Sequence, residues 1–246
     1  MLDSMRLILI FFTVLAGCAD QDLSYPWLSD LDDGADVKVS GKRLMALPEG
    51  LHLLEPEVAA SSVLLVGIHG YASNGYEWVY PLQTLDNDAT ATYFYRWDYS
   101  ACAAPSAQSL TESIGKILTG SPAIKRVRLL GHSYGGVLVG TMVQQWSFDT
   151  PVEIHAIAAP LAGMQGLTQM CDYTPPDSIP ENVQFFQWRT QHALDGAFKE
   201  LEVDPQVIDL DDSTVTRLPD SYRGNRLGHN WSISWVADEM IRPAQD

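Results

Sequence analysis

The sequence is short of positive charge. Its 15 Lys and Arg stand against 31 Asp and Glu, for a formal net charge of −16. The average surface therefore repels phosphate backbones and anionic headgroups, which excludes nucleic acid as an expected partner. The acidity reads as solubility or adaptation to salt rather than selection of a cationic substrate. Long apolar runs are missing too: the run at 7–17 falls short of the roughly 20 residues needed to cross a hydrocarbon core, which argues against a transmembrane anchor. Cysteine is scarce, with three in 246 residues, at positions 18, 102 and 171. No repeat or low-complexity tract follows residue 36. A chain of 246 residues that is 46% hydrophobic has material for one sizeable core and little room for two.

What the N-terminus does have is an export pattern. Arg6 follows a second possible start at Met5, and the apolar run at 7–17 suits the h-region of a secretory signal. The run ends in Leu15-Ala16-Gly17-Cys18, which resembles the lipobox of bacterial lipoproteins. That resemblance implies a signal peptide over 1–17, cleavage before Cys18, lipidation of that cysteine and a membrane partner through its acyl chains. Localisation would be the cell envelope, and Ala19 in place of Asp favours the outer membrane. The alternative is an ordinary signal peptide with a chance cysteine at its end. Residues 18–36, acidic and without clear periodicity, read as a tether to a folded domain over 37–246.

Within that domain short apolar runs alternate with longer amphipathic ones, as parallel strands joined by crossover helices should. Strands are expected at 62–69, 92–99, 125–130, 152–158, 182–189 and 206–210, with opening strands at 37–39 and 51–54. Helices are expected at 77–85, 106–118, 137–146 and 229–241. The run 62–69 is almost continuously Val, Leu and Ile, as a strand buried on both faces should be. At 106–118, Leu110, Ile114, Ile117 and Leu118 form a helical stripe. The fold class is therefore α/β, with about eight mostly parallel strands and helices on both faces.

The strand at 125–130 runs into Gly131-His132-Ser133-Tyr134-Gly135-Gly136, and a helix starts directly afterwards. A nucleophile elbow needs this context, because the Ser takes a strained conformation on a strand-to-helix turn and the glycines keep side chains out of the bend. In this the chain resembles the α/β-hydrolase family of lipases and esterases. The resemblance implies Ser133 as nucleophile, with the N–H of Tyr134 as one oxyanion donor. Ile68-His69-Gly70-Tyr71 resembles the oxyanion loop of lipases with a single Gly, which implies Tyr71 N–H as the second donor and a supporting or merely buried His69. Family order requires the base beyond the last strand, where His229 alone of the six histidines qualifies. The acid should follow the strand before the last: Asp195 is first choice, with Asp204 and Asp209 as runners-up. Such a site needs neither metal nor cofactor.

Tyr71, Tyr76, Trp78, Trp97, Tyr99 and Tyr134 lie near the expected pocket and suggest an apolar acyl site, although such aromatics also serve as plain core. Residues 161–181, with Pro175, Pro176 and Pro180, form a long connection that could act as a lid. Cleavage of an apolar or lipid carboxylic ester is the expected activity. Thioesterase, acyltransferase and peptidase share the triad, and a non-catalytic lipoprotein scaffold is the alternative from another class. Cys102 and Cys171 follow strands at 92–99 and 152–158, which in the family's usual order flank the two central strands. A disulfide between them would arch across the mouth of the site; two unpaired buried cysteines are the alternative.

Overall fold

The computed structural model describes residues 24–55 and 61–243. Cys18, the signal segment before it and the first residues of the expected tether lie outside that range. Seven strands form the main sheet, in the order β1-β3-β2-β4-β5-β6-β7. These are β1 (Gly50–Leu53), β2 (Val63–Ile68), β3 (Thr90–Arg96), β4 (Arg126–His132), β5 (Val152–Ile157), β6 (Val183–Arg189) and β7 (Thr214–Arg217). Only β1 runs antiparallel, pairing with β3. A two-stranded ribbon, β8 (Ser221–Tyr222) with β9 (Asn225–Arg226), stands apart.

Alternation along the central strands divides the core in two. Leu64, Val66 and Ile68 of β2 join a cluster with Leu110 and Ile114 of α3 (Ala103–Gly120) and Val137 and Leu138 of α4 (Tyr134–Met142). Leu65, between them, joins the opposite cluster with Leu44 of α1 (Val37–Met45), Trp78 and Leu82 of α2 (Tyr76–Leu85) and Ile233 and Val236 of α6 (Trp231–Ile241). Successive side chains of a strand face opposite ways, so a strand with helices on both faces must be apolar throughout. That is why β2 reads as one uninterrupted run.

Three expectations are corrected. Among the described residues the sheet has seven strands, not about eight. Residues 37–39 open helix α1, whose buried Ser40, Gly41 and Leu44 make a helical face that three residues could not reveal. Residues 206–210 form no strand: Gln206 is buried among polar groups, the Ile208 carbonyl accepts from the Arg189 guanidinium, and the edge strand follows at β7.

The expected tether is also folded over residues 24–36. Leu28 and Leu31 are buried, the Leu28 N–H donates to the Leu54 carbonyl at 2.7 Å, and the Gln83 amide donates to both the Leu28 and Leu31 carbonyls. Arg43 donates to the carbonyls of Ser24, Tyr25 and Asp30. An acidic segment without periodicity reads as solvated, but a few leucines and a neighbouring Arg suffice to dock it. Among the described residues, no helix is long and apolar enough to cross a membrane.

Candidate active site

β4 ends in His132 and α4 begins at Tyr134, leaving Ser133 alone at the bend with φ 54° and ψ −120°. This conformation is costly for a residue with a Cβ, and here the surroundings impose it. The Ser133 N–H is tied to the Ile157 carbonyl at the end of β5, at 2.8 Å. On the other side the start of α4 presses against the end of β2: a Cβ on Gly135 would lie 2.3 Å from the Ile68 carbonyl oxygen. Likewise a Cβ on Gly70 would lie 2.8 Å from the His132 carbonyl oxygen and 2.9 Å from Ser133 Cβ. Glycine at both positions lets the two turns approach until the Tyr71 loop abuts the Ser133 side chain.

The candidate acid and base come from the segment after β6 and the segment before α6. Asp195 follows β6 by a single turn and is fully buried. Its Oδ2 accepts from His229 Nδ1 at 3.0 Å and from the Thr190 hydroxyl, while Oδ1 accepts from the Ala197 N–H at 2.8 Å. Burial alone would raise its pKa. The His229 ring, the Thr190 hydroxyl and the Ala197 amide outweigh that and hold the carboxyl below its ordinary value, so it stays ionised. Thr190 is fixed in turn by Gln206, whose Oε1 accepts from its N–H and whose Nε2 donates to its carbonyl. Of the three carboxylates weighed, Asp195 is the one that meets His229. Asp204 pairs with Arg217 at 3.1 Å instead, and Asp209 is exposed.

In the tautomer that donates from Nδ1 to Asp195, His229 Nε2 is the acceptor of the ring. The edge of Phe198 packs on the ring, with centroids 5.1 Å apart at 90°, and His132 donates from Nε2 to the His229 carbonyl at 3.1 Å. No hydrogen bond of His229 reaches the Ser133 hydroxyl, but both residues line one small recess. Tyr134 is the first residue of α4, where a helix N–H has no partner within the helix. Among the described residues, neither its N–H nor that of Tyr71 donates to a backbone acceptor.

His69 holds the Tyr71 loop. Arg96 can only donate, so the 2.7 Å contact from its Nη1 makes His69 Nε2 the acceptor, and Nδ1 must then donate to the Gly70 carbonyl, 2.9 Å away. Burial, with Arg96 adding to it, pushes the His69 pKa down to about 4, so the ring remains neutral and this orientation is stable.

On the other side of Ser133 lies a cleft of about 530 Å³ walled by Tyr71, Tyr99, Tyr134, Leu167, Met170 and Phe198. Three of the aromatics expected at the pocket are there. Trp78 and Trp97 are buried in the core instead, and Tyr76 belongs to α2 outside the cleft lining. Cys102 and Cys171 form a disulfide. Because β3 and β5 flank β2 and β4, the bridge spans the mouth, as strand order implied. It joins the N-terminus of α3 to the C-terminus of α5 (Gln165–Met170), which has no buried residue. Among the described residues, no group of three His, Cys, Asp or Glu side chains could hold a metal ion.

Sequence reading missed Thr190, Gln206 and Phe198. Thr190 directly follows β6, five positions before Asp195, a spacing that could have flagged it. Gln206 carried no signal, since its role depends on a loop folding back.

No family model matches this sequence, and no curated protein does. Solved structures do match. An α/β serine hydrolase without a lid from Xanthomonas campestris is 15% identical, with 80% of this chain and 89% of that one aligned at a TM-score of 0.52. An esterase from Pyrococcus furiosus is 12% identical over 73% of this chain and 79% of its own, at 0.49. A phospholipase/carboxylesterase from Dyadobacter fermentans is 14% identical over 79% and 97%, at 0.45. The strand order, the crossovers and the first of these likenesses define the α/β-hydrolase fold.

Proposed function

We propose that this protein is a serine hydrolase that cleaves carboxylic esters with an apolar acyl group. The observation that carries the reading is a strained Ser133 standing between an apolar cleft and a His229 oriented by a buried, ionised Asp195. In this reading His229 Nε2 takes the Ser133 proton as Oγ attacks the ester carbonyl. The oxyanion is received by the N–H groups of Tyr71 and Tyr134, and Asp195 stabilises the imidazolium. The imidazolium then protonates the departing alcohol oxygen, leaving the acyl group on Ser133, and a water activated by the same ring releases it. The likeness to known structures supports the scaffold, not the substrate.

The test is a panel of p-nitrophenyl esters from acetyl to palmitoyl, run with wild type and Ser133→Ala, alongside a fluorophosphonate probe. Hydrolysis lost in Ser133→Ala and labelling at Ser133 are expected. Labelling elsewhere, or none, would overturn the assignment and favour a non-catalytic scaffold.

We also propose, from the sequence alone, that the mature chain begins at a lipidated Cys18 and is anchored in the cell envelope, with the outer membrane or periplasmic face favoured. Mass spectrometry of the envelope-extracted protein should find an acylated Cys18. A free N-terminus elsewhere would refute it.

A further inference from the structure

Ser133 and His229 come from distant segments of the chain, and no hydrogen bond joins their side chains. Another contact must set the distance that the proton crosses. Among the described residues, three side-chain hydrogen bonds hold His229. Its Nδ1 donates to Asp195 Oδ2 at 3.0 Å, and its carbonyl accepts from the Ser232 hydroxyl at 2.5 Å and from His132 Nε2 at 3.1 Å. The first two tie the base to the acid and to its own helix α6. Only the third reaches the strand that carries the nucleophile.

His132 is the last residue of β4, adjoins Ser133 in the chain and is buried. A carbonyl can only accept, so the proton of the His132 ring sits on Nε2. The ring also packs against the His229 ring, with centroids 4.6 Å apart, and both line a recess of about 50 Å³ beside Ser133. The base is thus held at two points, its ring by Asp195 and its backbone by the residue next to Ser133. Since the Ser133 N–H is anchored on the Ile157 carbonyl, a group held by His132 is held relative to the nucleophile.

Charge matters here as well as reach. Burial, and after it the neighbouring His229, pushes the His132 pKa down to about 3, so the ring stays neutral at neutral pH. A cation in that place would oppose the imidazolium that His229 becomes in the proposed chemistry. A neutral N–H donor fixes the backbone without that penalty.

We infer that His132 is a positioning residue for the base, its Nε2–H holding the His229 backbone at a set distance from Ser133 so that the imidazole can reach the serine hydroxyl. This rests on the nucleophile and base proposed above.

The experiment separates the donor from the ring. Gln carries an amide N–H out to the region of His132 Nε2, Asn stops one methylene short of it, and Phe keeps a ring without a donor. Each variant is compared with wild type in kcat and KM on the p-nitrophenyl ester that wild type turns over best, and in the rate of Ser133 labelling by the fluorophosphonate. His132→Phe and His132→Asn should lose about 10²-fold in kcat with KM little changed, the cost of misplacing a reacting group by about 1 Å. His132→Gln should recover most of that loss, and the labelling rates should follow the same order. Asn and Gln put the same amide into the same buried place, so general damage to the fold falls on both. Should His132→Phe fail to fold, the difference between Gln and Asn decides alone. Equal rates in His132→Gln and His132→Asn, or wild-type activity in His132→Phe, overturn the role of His132 while leaving the hydrolase reading intact. No labelling of Ser133 in wild type removes that reading and this one with it.

Discussion

The two walls of the site are built in opposite ways. The wall that carries the proposed acid and base is tied down throughout: Asp195, Thr190 and Gln206 are buried, and each is hydrogen-bonded to another. The wall formed by α5 has no buried residue, presents Met170 at 80% exposure, and is fastened chiefly by one covalent link to α3. Proton transfer tolerates little misplacement, whereas an apolar acyl chain can be received by a wall that yields.

The largest expected effect breaks the rigid wall at its centre. His229→Ala should lower kcat about 10⁴-fold or more, and Asp195→Asn comparably or somewhat less, measured on any ester that wild type turns over. Full activity in Asp195→Asn would move the acid elsewhere.

Next comes the covalent fastening of the yielding wall. Replacing Cys102 and Cys171 together by Ala opens a loop with a sequence separation of 69, and should cost about 4 kcal/mol in chemical denaturation. Cleavage by added protease should then appear first around α5 and leave β6 and the Asp195 turn intact. Cleavage starting at 190–206 would invert the comparison.

Acid should act on the rigid side. Burial pushes His69 down from 6.5 to about 4 and His132 to about 3, the latter helped by the neighbouring His229. Between pH 6.5 and 4 the unfolded chain binds protons at these rings and the native state does not, so stability falls as pH falls through that window. Roughly 3 kcal/mol should be lost for each of the two rings, read as a declining midpoint of chemical denaturation. A flat midpoint over that range would show that the rings are not held neutral.

The smallest effect is a single donor. Thr190→Val should cost about 1–3 kcal/mol and lower kcat less than Asp195→Asn, because the carboxylate keeps its His229 and Ala197 partners. Met170→Ala, on the exposed wall, should shift acyl-length preference with no measurable loss of stability.

Local pattern alone identified the elbow, since Gly131 to Gly136 between an apolar strand and an apolar helix reads the same in any surroundings, and the 3.6-residue stripe of α3 and the unbroken run of β2 are equally local. Chain order singled out His229 and put Asp195 ahead of Asp204 and Asp209, yet only the folded chain shows which carboxylate meets the ring. That contact joins residues 34 positions apart and depends on where two loops end. Helix α1 and the docking of residues 24–36 were hidden because short segments take their conformation from the surface that covers them. The same holds for Gln206, whose buried amide closes on Thr190. What the sequence determined was everything written in periodicity and in adjacent residues; the tertiary structure decided which distant polar groups are buried together, because burial is a property of the neighbours and not of the residue.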